Sequence, residues 1–190
     1  MYNIAEATIK GIELSAEAQL GSLRIDAALS YVNSTLEPTT ALVNSRALPG
    51  NNLGPACPQG TPSNPPVCFD YTPYLLGTSG GPNLYAPELS YTLGAEYTLD
   101  LGNGATLTPR INYGWLDDQW TNLLYNKDTD FLESRGLLST MLTYQTDQWK
   151  LQAFGHNLAD EEYITGQEGT FNMEFYGAPR QYGINATYNF

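Results

Sequence analysis

ATIKGIELSAEAQLGSLRIDAALSYVNSTL, residues 7–36, alternates apolar and polar side chains with period two across both of its halves. Over 7–20, Ile12, Leu14, Ala16, Ala18 and Leu20 share one face, while Glu13, Ser15, Glu17 and Gln19 share the other. That is the signature of a strand with two unlike faces. Gly21-Ser22 supplies a two-residue turn, and Leu23, Ile25, Ala27, Leu29 and Tyr31 continue the apolar face over 23–36. Residues flanking such a turn lie opposite each other with side chains on the same face. This pairs Leu20 with Leu23, Ala18 with Ile25, Leu14 with Leu29 and Ile12 with Tyr31. Every pair joins apolar to apolar, so the register is self-consistent.

The same pattern recurs after residue 87. A strand over 88–101 carries Leu89, Tyr91, Leu93, Ala95, Tyr97, Leu99 and Leu101 on one face. A three-residue turn at Gly102-Asn103-Gly104 leads to a strand over 105–116 with Leu107, Pro109, Ile111, Tyr113 and Trp115, placing Glu96 opposite Arg110. Further strands are expected over 135–146 (Leu138, Thr140, Leu142, Tyr144), 149–158 (Trp149, Leu151, Ala153) and 178–190 (Tyr182, Ile184, Ala186, Tyr188, Phe190). Leu14, Leu29, Leu93, Ile111, Leu142, Leu151 and Ile184 should then face one side, with Glu13, Glu96 and Arg110 on the other.

Seven strands result, joined alternately by tight turns and long loops. They are longer than the five or so residues usual in soluble sheets and match the nine to eleven that cross a bilayer when tilted. Between strand ends the apolar faces carry no charge, whereas Glu13, Glu17, Arg24, Asp26, Glu96, Arg110 and Lys150 fall on the polar faces. This gives the lumen side an acidic balance that would favour a cationic or metal-chelate cargo. Aromatics on the apolar face form two bands. Tyr97, Tyr144, Trp149, Tyr188 and Phe190 lie near the tight turns, and Tyr31, Tyr91, Tyr113, Trp115 and Tyr182 lie near the loops. At roughly 2.5 Å of rise per tilted residue the bands are about 20–25 Å apart, close to the apolar height of outer-membrane barrels. The fold class read from this is all-β: an antiparallel meander of about seven long strands forming an incomplete segment of a transmembrane β-barrel. The competing reading is a soluble or surface β-sandwich serving as a binding or adhesion module; detergent dependence separates the two.

Composition narrows the functions. With 20 acidic against 8 basic residues the net charge is −12, which excludes a nucleic-acid footprint. No run of eighteen apolar residues forms a spanning helix, and no signal peptide is recognisable. Ten of the 12 prolines lie from Pro38 to Pro87, so 37–87 reads as one long Pro-rich extracellular loop rather than a set of paired strands. Cys57 and Cys68 lie within it; without a nearby His they read as a local disulfide, worth about 3 kcal/mol in the chain-entropy view. The single histidine, His156, is expected on the lumen face as an ordinary hydrogen-bonded residue. Asp117-Asp118 and Glu161-Glu162 read as solvated loop charges. No catalytic, metal or cofactor site is expected, and the chain does not read as an enzyme.

The last hundred residues then resemble the C-terminal barrel of TonB-dependent outer-membrane receptors. The resemblance rests on FGHNLADEEY (154–163) and GAPRQYGINATYNF (177–190), with KGIEL (10–14) similar to an earlier strand of that family. Asn157-Leu158-Ala159-Asp160 stands where the family commonly has Asn-Leu-Phe-Asp, and Gly177, Pro179 and Arg180 match its Gly-x-Pro-Arg box. Phe190 with Tyr188, Ala186, Ile184 and Tyr182 resembles the signal read by the outer-membrane assembly machinery. A terminal Phe is shared by other barrels, autotransporter translocators among them. The resemblance implies a Gram-negative outer-membrane protein and a 22-stranded barrel enclosing a plug, which imports iron chelates, cobalamin or carbohydrates with energy from TonB. It also implies that this chain is a C-terminal segment without the plug. It would then contact TonB only through that absent plug, have lipid and the missing strands as partners, and not transport alone.

Overall fold

The computed structural model describes residues 6–38, 42–50, 52–77, 80–168 and 173–190; positions 39–41, 51 and 78–79 of the Pro-rich loop lie outside them. The strands in chain order are β1 (Ala7–Leu20), β2 (Leu23–Leu36), β3 (Leu42–Val43), β4 (Leu75–Leu76), β5 (Leu89–Tyr97), β6 (Leu99–Gly102), β7 (Ala105–Leu116), β8 (Gln119–Trp120), β9 (Phe131–Leu132), β10 (Arg135–Gln145), β11 (Trp149–His156), β12 (Ile164–Glu168), β13 (Met173–Tyr176) and β14 (Gln181–Tyr188). One antiparallel sheet runs β1-β2-β5-β7-β10-β11-β14, with β6 extending β5 alongside β7. The other strands form three two-stranded ribbons, β3-β4, β8-β9 and β12-β13, all in the long connections.

Register carries the two faces across the whole sheet. Leu14 pairs with Leu29, Leu29 with Tyr91, Leu93 with Tyr113, Ile111 with Thr140, Leu142 with Ala153 and Ala153 with Ile184. Because alternate residues share a face, Leu14, Leu29, Leu93, Ile111, Leu142, Leu151 and Ile184 all point one way. Glu13, Glu96 and Arg110 point the other, with Glu96 opposite Arg110.

Several boundaries differ from the sequence reading. The strand expected over 88–101 is interrupted at Thr98, whose N–H donates to Ser22 O in the β1-β2 turn (2.9 Å). The strand expected to reach residue 158 stops at His156, because Asn157 turns into the left-handed region (φ 49°). The last strand occupies Gln181–Tyr188, although Asn189 N–H still donates to Gln148 O. The Pro-rich loop is not wholly unpaired, since β3-β4 and a bridge between Thr35 and Pro82 tie it down. Lys10 also falls on the apolar side, two positions beyond Ile12 and opposite Asn33. It lies near the loop end, where a long cationic stem can reach headgroup water.

The location of the core is informative. Among the described residues, the buried apolar side chains are Leu36, Cys68, Phe69 and Leu132, all at the loop end of the sheet. The apolar face of the sheet is bare: Leu14 is 63% exposed and Ile184 80%. A water-soluble domain does not leave a patch this wide uncovered. A sandwich would cover it with a second sheet, and none among the described residues does so. Hydrocarbon is the solvent that suits this face.

Candidate functional site

Three surfaces bear on function: the polar face, the loop layer, and the junction between β11 and β14. On the polar face two arginines are shared among three carboxylates. Arg110 contacts Asp26 (2.8 Å) and Glu96 (3.2 Å); Arg24 contacts Glu96 (3.1 Å) and Glu17 (3.1 Å). The Asp26–Arg110 pair lies across Gly94, where any Cβ would collide with the Asp26 carboxylate and the Arg110 guanidinium. The far end of the Phe154 ring likewise fills the space a Cβ would take at Gly183, the polar-face residue directly opposite it.

This wall is only slightly acidic, less so than the net charge of the chain suggests. Arg135 pairs with Leu116 on the polar side. With it, four cations (Arg24, Arg110, Arg135, Lys150) stand against five carboxylates (Glu13, Glu17, Asp26, Glu96, Asp100). His156 lies on this face with its Nδ1 3.4 Å from Ser139 Oγ. A groove of about 610 Å³ near the loop end is edged by Glu13, Ser15, Ser30, Ser90 and Thr92.

The charge sits in the loop layer instead. Residues 37–88 hold three acidic and one basic residue, 117–134 five and one, and 157–180 five and one, so these segments carry −10 of the net −12. The layer has its own framework. Asp130 is fully buried and accepts two hydrogen bonds from Arg46, 84 residues away (2.7 and 2.9 Å). It also accepts from Asn126 N–H (3.1 Å). This bonding raises the Arg46 pKa above its ordinary value against the opposing effect of burial. Tyr85 N–H donates to Trp120 O, and the Tyr125 hydroxyl donates to Pro82 O (2.7 Å) while its ring covers Gly81. Burial pushes that Tyr125 phenol above its usual value. Trp120 packs edge-on to Tyr125 and Phe131.

Cys57 and Cys68 are bonded, with their Cα atoms 4.8 Å apart. Phe69 beside them packs on Tyr71 and Tyr74. Sequence reading missed the Arg46–Asp130 link and the ring cluster, since nothing local marks partners so far apart in the chain.

The third surface brings the two boxes noted in the sequence together. Asn157, 4% exposed, accepts from Glu161 N–H and donates to Glu161 O and Ala178 O. Asp160 accepts from Arg180 N–H (3.0 Å) and pairs with its guanidinium (3.3 Å). Leu158 N–H donates to Leu138 O on the adjoining strand. Tyr163 lies over Gly177, and its carbonyl accepts from Gly177 N–H (2.8 Å). Pro179 sits exposed between these contacts. These residues clamp the two feet of the 157–180 connection. Beyond them Tyr182, Ile184, Ala186, Tyr188 and Phe190 line the apolar side of the final strand, where the rings of Tyr188 and Phe190 meet edge-to-face and Trp149 packs on Tyr188. The second aromatic band is also in place: Tyr91 contacts both Tyr113 and Trp115.

The family model described as "TonB dependent receptor-like, beta-barrel" matches residues 1–158. The chain belongs to that family. TonB-dependent receptors are a transporter and receptor family of the Gram-negative outer membrane, which places this barrel sheet there. No curated protein matches the sequence. Among solved structures, the ferric yersiniabactin uptake receptor FyuA of Yersinia pestis superposes with a TM-score of 0.70 at 16% identity, over 99% of this chain and 24% of that one. The ferric preacinetobactin receptor BauA of Acinetobacter baumannii gives 0.66 at 20% identity, over 98% and 23%. The siderophore receptor PiuA of the same organism gives 0.63 at 19%, over 97% and 22%. At these identities the likeness establishes the fold. The chain spans about a quarter of the length of the receptors it matches.

Proposed function

We propose that this chain is the C-terminal part of the wall of an energy-coupled receptor importing ferric chelates, and that it transports only within the complete barrel. The observation that carries the reading is the sheet itself: a bare apolar face for lipid, an ion-paired polar face for the lumen, and outer edges on β1 and β14 that no strand among the described residues pairs. Six reversals make β1 and β14 run the same way, so joining them would need a parallel seam. Single-chain bacterial barrels close with even numbers of antiparallel strands. Open edges in hydrocarbon leave backbone groups unsatisfied at several kcal/mol each. Further strands of the same receptor are therefore the natural partners of both edges, and a plug inside that barrel is the natural contact for TonB.

Ferric chelates are preferred over cobalamin or carbohydrates because FyuA, BauA and PiuA are named as ferric-chelate or siderophore receptors. The terminal aromatic run suits recognition by the outer-membrane assembly machinery, and the Asn157–Arg180 clamp suits a structural role. The test is radiolabelled iron uptake by cells expressing the complete reading frame. Accumulation of a ferric chelate only when TonB is present supports the reading, and uptake of cobalamin or maltodextrin instead refutes the cargo. For the segment alone, heat-modifiable gel mobility with monomeric conductance in planar bilayers would show self-closure and refute dependence on further strands.

A further inference from the structure

We infer that the lipid-facing side of β1 and β2 holds one lipid of the outer leaflet, its headgroup phosphate on Lys10 and an acyl chain in the groove over Ala16 and Ala27. The inference rests on the reading of this chain as barrel wall and not on the cargo proposed above. Within the strands of the main sheet, Lys10 is the only charged residue on the apolar face, where it lies opposite Asn33. Among the described residues no carboxylate pairs with it. Thr8 and Thr35, opposite each other, follow on the same face toward the loops. The rows on the other side of Lys10 are apolar: Ile12 opposite Tyr31, then Leu14 opposite Leu29. Lys10 therefore stands just above the loop-end aromatic band, at the depth of the headgroups.

Below the cation the apolar face is unevenly filled. Ala16 lies opposite Ala27, the one apolar-face pair among the described residues of the main sheet that sets alanine against alanine. Leu14, Leu29, Tyr91 and Leu93 stand around them, leaving an open groove of about 470 Å³. Leu29 pairs with Tyr91 and Ala27 with Leu93, so the groove spans three strands. From the Tyr31 row to the Ala27 row the drop is roughly 10 Å along the membrane normal for a tilted strand. That lies within the outer half of a hydrocarbon layer about 30 Å thick. A chain hanging from a headgroup at Lys10 reaches it.

Medium and charge together select the occupant. Long loops lie outside in barrels of this class, so the Lys10 end meets the outer leaflet. Hydrocarbon surrounds the groove, which excludes a water-soluble ligand. An ammonium with three donors is a point charge suited to phosphate, and near the membrane surface it attracts anionic headgroups. Snorkelling to water would account for Lys10 alone. It does not account for the groove below it on the same strand.

The test adds dimyristoyl phosphatidic acid, a phosphate monoester, to the complete receptor in a neutral maltoside detergent and reads bound lipid by native mass spectrometry. Dimyristoyl phosphatidylcholine, with the same chains on a zwitterionic headgroup, and inorganic phosphate are the controls. One saturable phosphatidic acid per receptor is expected, held about fivefold or more tighter than phosphatidylcholine, with no retention of inorganic phosphate. Lys10→Gln should abolish that preference, and Ala16→Leu combined with Ala27→Leu, which fills the groove, should weaken both lipids. Lys150→Gln on the polar face and Ala153→Leu elsewhere on the apolar face should change neither. Equal affinity for the two lipids, a preference that survives Lys10→Gln, or equal loss in the control variants would overturn the site and indicate general solvation of the barrel by lipid. Heat-modifiable mobility of the same preparation reads the barrel separately. A folded receptor without the lipid preference thus overturns this site and leaves the receptor reading standing.

Discussion

Replacing Arg46 by Ala should open the loop layer without unfolding the sheet. Asp130 is fully buried and receives two of its hydrogen bonds from the Arg46 guanidinium. Removing one partner of a buried pair costs about 3–5 kcal/mol, because the other charge remains unpaired in a poor solvent. Asn126 N–H still donates to Asp130 after the change, so the low end, about 3 kcal/mol, is expected. The affected opening is local, since Arg46 and Asp130 lie in the connections and, among the described residues, their hydrogen bonds run to Asn44, Thr121, Asn126 and Thr129 of those same connections. Hydrogen exchange reports it directly. The amides of Thr121 and Tyr85, bonded to Asp130 O and Trp120 O, should lose about a hundredfold in protection, at 1.4 kcal/mol per tenfold. Amides within β7 and β10 should keep theirs. Arg46→Ala combined with Asp130→Asn should recover part of the loss, because no buried charge then lacks its partner. Unchanged protection at Thr121 and Tyr85, or a double variant that opens further than Arg46→Ala alone, would refute this account of the link.

Three other outcomes follow from the geometry. Leu93→Arg, facing hydrocarbon near mid-sheet, should destabilise the folded barrel by about 2–4 kcal/mol in denaturant titrations within lipid vesicles, whereas Ser139→Arg on the polar face should cost far less. Asn157→Ala removes three hydrogen bonds and places Ala at a positive φ; a loss of about 2–4 kcal/mol is expected, seen as early protease cleavage within 157–180. Reducing the Cys57–Cys68 bond frees a loop of 11-residue separation, about 3 kcal/mol in the chain-entropy view, and should speed cleavage between Gly54 and Tyr71 while leaving uptake by the complete receptor measurable.

The sheet was legible because its information is local. Each strand states its own faces by period two, and a tight turn such as Gly21-Ser22 or Gly102-Asn103-Gly104 sets the register of a whole hairpin. Glu96 meets Arg110 through the second of these. The loop layer was illegible because its information is not local. The ribbons β3-β4 and β8-β9 are two residues per strand, too short for any alternation to register. Arg46 finds Asp130 across 84 positions. At Asn157 the sequence marked a motif, yet its left-handed backbone and its three hydrogen bonds emerge only when the feet of the connection meet.

The charge of the chain shows how composition and placement part company. A net −12 invited a strongly acidic lumen, yet the polar wall sets four cations against five carboxylates, while the connections hold almost all of the excess. The physical reason is the medium on each side. Wall residues lie one residue away from hydrocarbon-facing neighbours, where an unpaired charge is poorly screened, so Arg24 and Arg110 are shared among Glu17, Asp26 and Glu96. Apart from the buried Asp130, the loop carboxylates stand largely in water, where charges more than about 8 Å apart are largely screened at physiological salt. They can accumulate at little cost. Attraction for cations is therefore a property of the mouth of this barrel and not of its wall, and ionic strength should govern encounter at the loops rather than passage along the sheet.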